Sequence, residues 1–285
     1  MRENKYIDAT NYYKRVAGHF DEDAQLFEER YEENPVLQKI RGEFRRYTEK
    51  YDFTNALEIG CGPGIDLVWF AEKYPERNFY GFDVSPEMVR IANKNIRERG
   101  LTNAIAETGS VEDINKLFPG KTFDMIFVYF GGLNTVYDLP QAARWLYEVS
   151  APDATFVFTS VNRYYLMDFV MKALKMKWGE AVARFRNQWK GYSPGRDLPS
   201  NVYSARRIKK VFQYGFRILE RRGFSLFYPP WFGARHLNKL KGMGPLLWKL
   251  DSILQHTPLW NIGEYSIYVM KSRKTDNASG KSENN

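Results

Sequence analysis

The chain has 285 residues, 44% of them hydrophobic and 27% charged, enough for one large domain with insertions, and no apolar run approaches the roughly 18 residues of a membrane span. One cysteine, Cys61, rules out an internal disulfide, and the opening MRENKYIDAT lacks the apolar stretch of a secretory signal, so a reducing, cytoplasmic setting is expected. The net charge of +8 and pI of about 9.3 permit a nucleic acid, an anionic membrane surface or an acidic substrate, and select none of them.

Residues 8–50 read as helical. Asn34-Pro35 has the form of an N-cap followed by proline in the first turn. From there Val36, Ile40, Phe44 and Tyr47 recur on one helical face. After residue 54 the pattern changes to strand and helix in alternation. Ala56 to Ile59 is a short apolar strand, Gly64 to Lys73 a helix and Phe79 to Phe82 a second strand. Ser85-Pro86-Glu87 starts a helix that runs to Gly100. A third strand falls near Ile105. Phe123 to Tyr129 is a fourth, continuously apolar, as suits a strand covered on both faces. Pro140 opens a helix, and Ala154 to Ser160 is a fifth strand. Such alternation implies right-handed βαβ units and a parallel sheet.

The alternation then breaks. Residues 163 to 215 carry twelve Lys and Arg against three acids, so the rest of the chain is nearly neutral. Residues 163–200 are basic, aromatic and helical in texture. Tyr203 to Tyr214 reads as a helix, Phe216 to Tyr228 as a long strand, 229–262 as a second insertion with PPWFGARH and GPLLWKLDSIL, and EYSIYVM as the last strand. The expected organisation is an N-terminal helical lid (1–50), a main domain (51–271) with cap insertions at about 163–202 and 229–262, and a disordered tail (272–285).

The stretch ALEIGCGPGIDL holds Gly60, Gly62 and Gly64, with Ile65 where a dinucleotide fingerprint would place its third glycine or alanine. Glu58, two residues before the loop, would repel pyrophosphate and suits a cationic group. Asp83, nineteen residues past Gly64, ends the second strand, where an acid can accept hydrogen bonds from ribose hydroxyls. The pattern calls for a phosphate-free nucleoside with a positive end.

LEIGCGPG together with YGFDVSPEMVRIAN resembles the first two motifs of class I S-adenosylmethionine (SAM) methyltransferases. FDMIFVYFGGLNTV and LPQAARWLYEVSAPDATFVFTS are similar to the fourth and fifth. The likeness covers residues 50 to 160 well and the final strand pair loosely. It implies a Rossmann-like α/β fold: a seven-stranded, mostly parallel sheet with an antiparallel final strand and helices on both faces. It also implies SAM as cofactor and S-adenosylhomocysteine as product. By the same resemblance, Gly60, Cys61, Gly62 and Gly64 bring backbone to the methionine moiety, Glu58 orients the loop and meets the ammonium, and Asp83 holds the ribose. Val84, Met88, Ser110 and Val111 border the adenine, while Tyr129 and Phe130 lie under the sulfonium. Ser110 stands where such families often carry an acid that meets the adenine amino group.

Methyl transfer from a sulfonium is an in-line displacement that depends mainly on positioning, so catalytic residues are hard to read. His19 and Tyr13, with Tyr12 beside them, lie on the lid-like first helix; Asn134 follows the fourth strand; Asn162 and Arg163 follow the fifth; His236 and His256 lie in the second insertion. Each is also consistent with a plain packing or surface role. No His/Cys/Asp spacing suggests a metal. Three functions compete. The first is a methyltransferase for a small hydrophobic or lipid-like acceptor, with peripheral contact to an anionic membrane. The second is an RNA methyltransferase using the basic, aromatic insertion, less favoured because GGLNTV lacks the Asn/Asp-Pro-Pro-Tyr/Phe signature and no separate RNA-binding module follows. The third is a SAM-binding protein without turnover. Oligomeric state is not legible.

Overall fold

The computed structural model describes residues 8–186, 198–234 and 242–275. The chain opens with three helices: α1 (Ala9–Asp23), α2 (Phe27–Glu32) and α3 (Pro35–Glu49). Asn34 caps α3 by accepting from the Leu37 amide at 3.0 Å, and Pro35 occupies the first turn. Val36, Ile40, Phe44 and Tyr47 are all buried, so the apolar stripe does face the core.

The alternating part follows as β1 (Asn55–Ile59), α4 (Ile65–Lys73), β2 (Asn78–Asp83), α5 (Pro86–Glu98), β3 (Ala104–Thr108), α6 (Ile114–Leu117), β4 (Phe123–Val128), α7 (Leu139–Val149) and β5 (Ser150–Val161). The first insertion holds α8 (Leu166–Leu174) and α9 (Trp178–Ala181). Then come α10 (Ala205–Phe212), β6 (Phe216–Phe224), α11 (Gly244–Leu254) and β7 (Tyr265–Ser272). The seven strands form one sheet in the order β3-β2-β1-β4-β5-β7-β6. The pairs among β1 to β5 are parallel, and β7 runs antiparallel to both of its neighbours. Residues from α3, α4 and α5 build the core on one face, and residues from α6, α7 and α10 build it on the other.

The order reverses beside β1, with β2 on one side and β4 on the other. This is the switch point where a parallel sheet opens a crevice at its carboxyl edge.

Two expected boundaries move. The sixth strand ends at Phe224, not Tyr228. Ser225 turns the chain with φ +57°, and the amides of Leu226, Phe227 and Tyr228 all donate to the buried Asp251 carboxylate, at 3.0, 2.8 and 3.2 Å. Those donors serve a carboxylate on α11 instead of extending the ladder. The ordered chain also runs past 271: β7 includes Ser272, the Arg273 amide donates to the Gly215 carbonyl at 2.8 Å, and Lys274 Nζ donates to the Glu148 and Ser150 carbonyls. The rest of the expected tail, from 276, and His236 lie outside the described residues.

Candidate cofactor and acceptor site

The glycine loop leaves β1 with φ of +66° at Gly60, +54° at Gly62 and +83° at Gly64, the left-handed region that glycine enters without steric cost. At Gly64 there is crowding as well. A Cβ there would stand 3.1 Å from the Ala92 Cβ, so this glycine lets the start of α4 approach α5. Around Gly62, by contrast, nothing lies within 4 Å of such a Cβ; that backbone faces open space.

The loop is tied to β2. The Gly60 and Cys61 amides both donate to the Phe82 carbonyl, at 2.8 and 3.0 Å. The buried Asp83 carboxylate then accepts from the Gly62 amide on Oδ2 at 3.0 Å and from the Ser85 amide on Oδ1 at 2.9 Å. Burial pushes this carboxyl up to about 6, against the pull of those donors. An ionised carboxylate has about four acceptor positions, so capacity remains for further donors.

Glu58 is buried below the loop, and its Oε2 has no hydrogen-bond partner. Burial and then the neighbouring Asp66 raise its carboxyl well above the usual range, while Arg41 and Arg45 act in the opposite sense. A buried, unpartnered carboxylate oxygen is costly unless a donor or cation arrives. An ammonium group meets that need, so these residues fit the nucleoside with a positive end that the sequence implies.

The structure adds a cluster that the sequence reading missed. Asp66, in the first turn of α4, pairs with two arginines of α3. Arg45 Nε donates to Oδ1 at 2.6 Å, Arg41 pairs with Oδ2, and all three side chains are buried. The Arg41 guanidinium lies 4.7 Å from the centre of the Phe130 ring. The signal was available: Leu37, Arg41 and Arg45 form an i, i+4, i+8 column beside the apolar stripe.

Past β4, Tyr129 OH and Thr48 Oγ1 share a hydrogen bond of 2.5 Å. Burial raises this phenol well above its ordinary value. Phe130 takes φ +51° and Gly131 +79°. A positive φ on a bulky residue is a true outlier, and here it occurs at the mouth of the crevice.

One cavity of about 190 Å³ joins these parts. Glu58, Gly60, Cys61, Gly62, Asp83, Val84, Met88, Val111, Tyr129 and Phe130 all line it. So do Tyr13 and His19 of α1 and Arg41 of α3. Val16, Phe20, Phe27, Leu37, Leu198 and Trp231 add apolar wall. The helices above the loop are fastened to it by polar contacts. Ser85 Oγ donates to Asp21 at 2.6 Å, and Asn95 Nδ2 donates to Glu28 at 2.7 Å and to the Pro63 carbonyl at 3.1 Å.

Several candidates stand elsewhere. Gly64 is not on the cavity wall; it serves the helix contact. Ser110 is spent on a capping box, with Oγ donating to Asp113 at 2.8 Å and accepting from the Glu112 amide at 3.2 Å, so its side chain is not directed to a ligand. Asn134 is a correction: it is fully buried and works as a clamp. Its Oδ1 accepts from the Val161 amide at 3.0 Å, and its Nδ2 donates to the Val161 and Asn201 carbonyls at 3.2 and 2.6 Å. Asn162 donates to the Gly263 carbonyl at 2.9 Å, and Arg163 to that of Phe185. Tyr12 donates to the Pro199 carbonyl at 3.0 Å. His256 is exposed past α11. The Tyr13 hydroxyl accepts from the Tyr137 amide at 3.2 Å, and burial pushes its pKa up. A phenol held neutral in this way can donate a hydrogen bond but is a poor base.

This sheet order, with a glycine turn at β1 and an acid at the end of β2, defines a Rossmann-like nucleoside-binding fold. A family profile described as "Methyltransferase domain" matches residues 51–215. The chain belongs to that family, the class I SAM-dependent methyltransferases, and its cofactor is SAM. A malonyl-[acyl-carrier protein] O-methyltransferase from Ilyobacter polytropus is 25% identical over 169 residues, 58% of this chain and 55% of that protein, so the likeness spans about half of its length. The [4+2]-cyclase SpnF superposes with a TM-score of 0.62 at 17% identity, covering 91% of this chain and 96% of that one. The N-methyltransferase NodS from Bradyrhizobium japonicum WM9, solved with S-adenosylhomocysteine, gives 0.53 at 15% identity, covering 93% and 100%.

Proposed function

We infer that the chain methylates a small hydrophobic or lipid-like acceptor bound in the cavity beneath α1, α2 and α3. The observation that carries this reading is the wall itself. The space that holds Asp83 and Glu58 continues against Val16, Phe20, Phe27, Leu37, Leu198 and Trp231, an enclosure suited to an apolar molecule.

Bound SAM supplies a methyl group on a positively charged sulfur. The residues of the chain hold and enclose it. Asp83 accepts from the ribose hydroxyls, and the unpartnered oxygen of Glu58 meets the ammonium. Tyr129 and Phe130 line the same cavity, and aromatic rings favour positive charge. The helices of the lid narrow the approach of the acceptor, and this positioning supplies most of the rate. Where the acceptor carries a proton, the His19 imidazole on the cavity wall is the group placed to take it.

The test is transfer of labelled methyl from SAM into a cell extract, separated into lipid, small-molecule, RNA and protein pools. Label in the organic-soluble pool is the expected result. Label in RNA would overturn the acceptor class. Calorimetric SAM binding with no label in any pool would favour binding without turnover. The cyclase neighbour shows why this must be measured, because a fold does not fix a reaction.

A further inference from the structure

We propose that the two insertions form one docking surface for an anionic lipid bilayer, through which the acceptor reaches the cavity. The proposal rests on the lipid-like reading of the acceptor.

The topology brings the insertions together. Val161, the last residue of β5, and Phe224, the last of β6, both pair with Tyr265, the first residue of β7. Both insertions therefore leave the sheet at one corner. That corner lies on the carboxyl edge, the edge that carries the glycine loop. Each insertion also sends one residue to the cavity wall, Leu198 from the first and Trp231 from the second.

Both insertions present apolar faces to solvent. Helix α8 has no fully buried side chain. Leu166, Val170 and Leu174 recur every fourth residue along it, and all are exposed, Leu174 at 76%. The chain continues with Met176 at 80% and Trp178 at 59%. On α11 the buried residue is Asp251, while Leu246 at 62%, Leu250 at 38% and Ile253 at 58% form a second stripe at i, i+4 and i+7. A core helix does not leave such a face uncovered, and patches of this kind mark interaction surfaces.

Charge selects the occupant. The first insertion, 162–204, has eight Lys and Arg against three acids, and 229–262 has four against one. That one acid, Asp251, is buried and committed to backbone amides. Lys175, Lys177 and Lys249 stand exposed among the apolar residues, where long cationic side chains can reach lipid phosphates while their neighbours enter the acyl boundary. No helix among the described residues is long and apolar enough to cross a membrane; the surface would lie on a bilayer. A lipid-like acceptor could then enter the cavity without crossing water.

The experiment is flotation of the full chain with vesicles of phosphatidylcholine alone or mixed with phosphatidylglycerol. Two paired variants are compared with wild type: Leu174→Glu with Met176→Glu, and Leu246→Glu with Ile253→Glu. The wild type should float with the anionic vesicles, at least tenfold more weakly with the neutral ones and more weakly as salt rises. Each pair should lower the partition at least tenfold with SAM binding and melting temperature unchanged. Should a pair disturb folding, Lys175→Glu with Lys177→Glu gives the same test by charge alone. No flotation, equal flotation of the variants, or no preference for anionic lipid overturns the proposal. So does a dimer in solution that the same variants dissolve, which would assign the stripes to a second copy, or RNA binding that competes with vesicles. Failure here leaves the acceptor reading standing, because label in the organic-soluble pool reports the acceptor whether or not the protein binds vesicles.

Discussion

Replacing Asp83 is the sharpest test of the cofactor half of the site. In the structure its two oxygens each hold one backbone amide, Gly62 at 3.0 Å and Ser85 at 2.9 Å. The remaining lone pairs are those assigned to the ribose. A hydrogen bond to a charged group contributes about 1.5–3 kcal/mol, so losing two ribose contacts costs about 3–6 kcal/mol, or roughly 10²–10⁴ in affinity. Asp83→Ala should therefore weaken both SAM and S-adenosylhomocysteine by that factor in calorimetry at pH 7.5. Asp83→Asn keeps one acceptor oxygen and sets an amide NH₂ against a backbone donor, so it should bind poorly and melt lower. The pH dependence follows with a definite sign. The carboxyl sits at about 6, above its ordinary 3.8, so the folded protein holds an extra proton between those values. This group's contribution to stability falls as pH rises through that window, whereas cofactor affinity, which needs the ionised form, rises and levels off above about 6. One unit below the plateau the affinity should be about tenfold lower, and the step should vanish in Asp83→Ala. Binding by Asp83→Ala within about threefold of wild type, with melting unchanged, would refute the ribose assignment.

Glu58→Gln should weaken SAM by at least about tenfold, because a buried charge partner for the ammonium is lost, while melting of the free protein stays level or rises; unchanged affinity would remove Glu58 from the site. Gly64→Ala should destabilise by about 1–3 kcal/mol, since φ is +83° and the new Cβ would stand 3.1 Å from that of Ala92. Gly62→Ala meets no crowding, so only the strain of φ +54° is felt, about 1–2 kcal/mol, and cofactor affinity should fall by more than that, which equilibrium unfolding and calorimetry separate. Asn134→Ala takes the partner from the buried Val161 amide and from the Asn201 carbonyl, while the Val161 carbonyl keeps the Tyr203 amide, so a loss of about 1–3 kcal/mol in urea unfolding is expected; reduced turnover with normal stability would return Asn134 to the list of acceptor contacts.

What the sequence made legible was local and periodic. The caps at Asn34 and Ser85, the glycine turn and the apolar β4 each depend on residues within a few positions of one another, and the structure places them as expected. Boundaries failed where a distant side chain intervened: nothing near Leu226 announces that Asp251 will take three consecutive amides. The same limit hid Asn134, whose three partners lie 27 and 67 residues away. The resemblance sets Ser110 beside the adenine, but its hydroxyl is taken by the capping box, and an N-cap and a ligand contact compete for one hydroxyl. Arg41 was overlooked for another reason. A charge beside an apolar stripe reads as solvent-facing until its counter-ion, Asp66, is brought to it across the fold.

The fastening of the caps bears directly on catalysis. The N-terminal layer is joined to the sheet domain by Arg41 and Arg45 on Asp66 and by the hydrogen bond of Thr48 with Tyr129. The first insertion is joined by Arg184 on Glu264, at 2.8 Å, with Glu264 fully buried at the entrance to β7. Breaking such a buried pair from one side costs about 3–5 kcal/mol, although an apolar contact of equal volume could hold as strongly. What ion pairs add is direction: a guanidinium fork on a carboxylate fixes orientation as well as distance. Apolar packing alone would let a lid slide by fractions of an ångström over the loop. A displacement at a sulfonium methyl tolerates little of that, because the attacking atom must lie in line and near contact. The glycine loop and Asp83 can only place the methyl group. On the proposed reading the distance and angle of attack would depend on the α1–α3 layer and on the insertions, and the polar latches beneath them would then be positioning groups for the reaction.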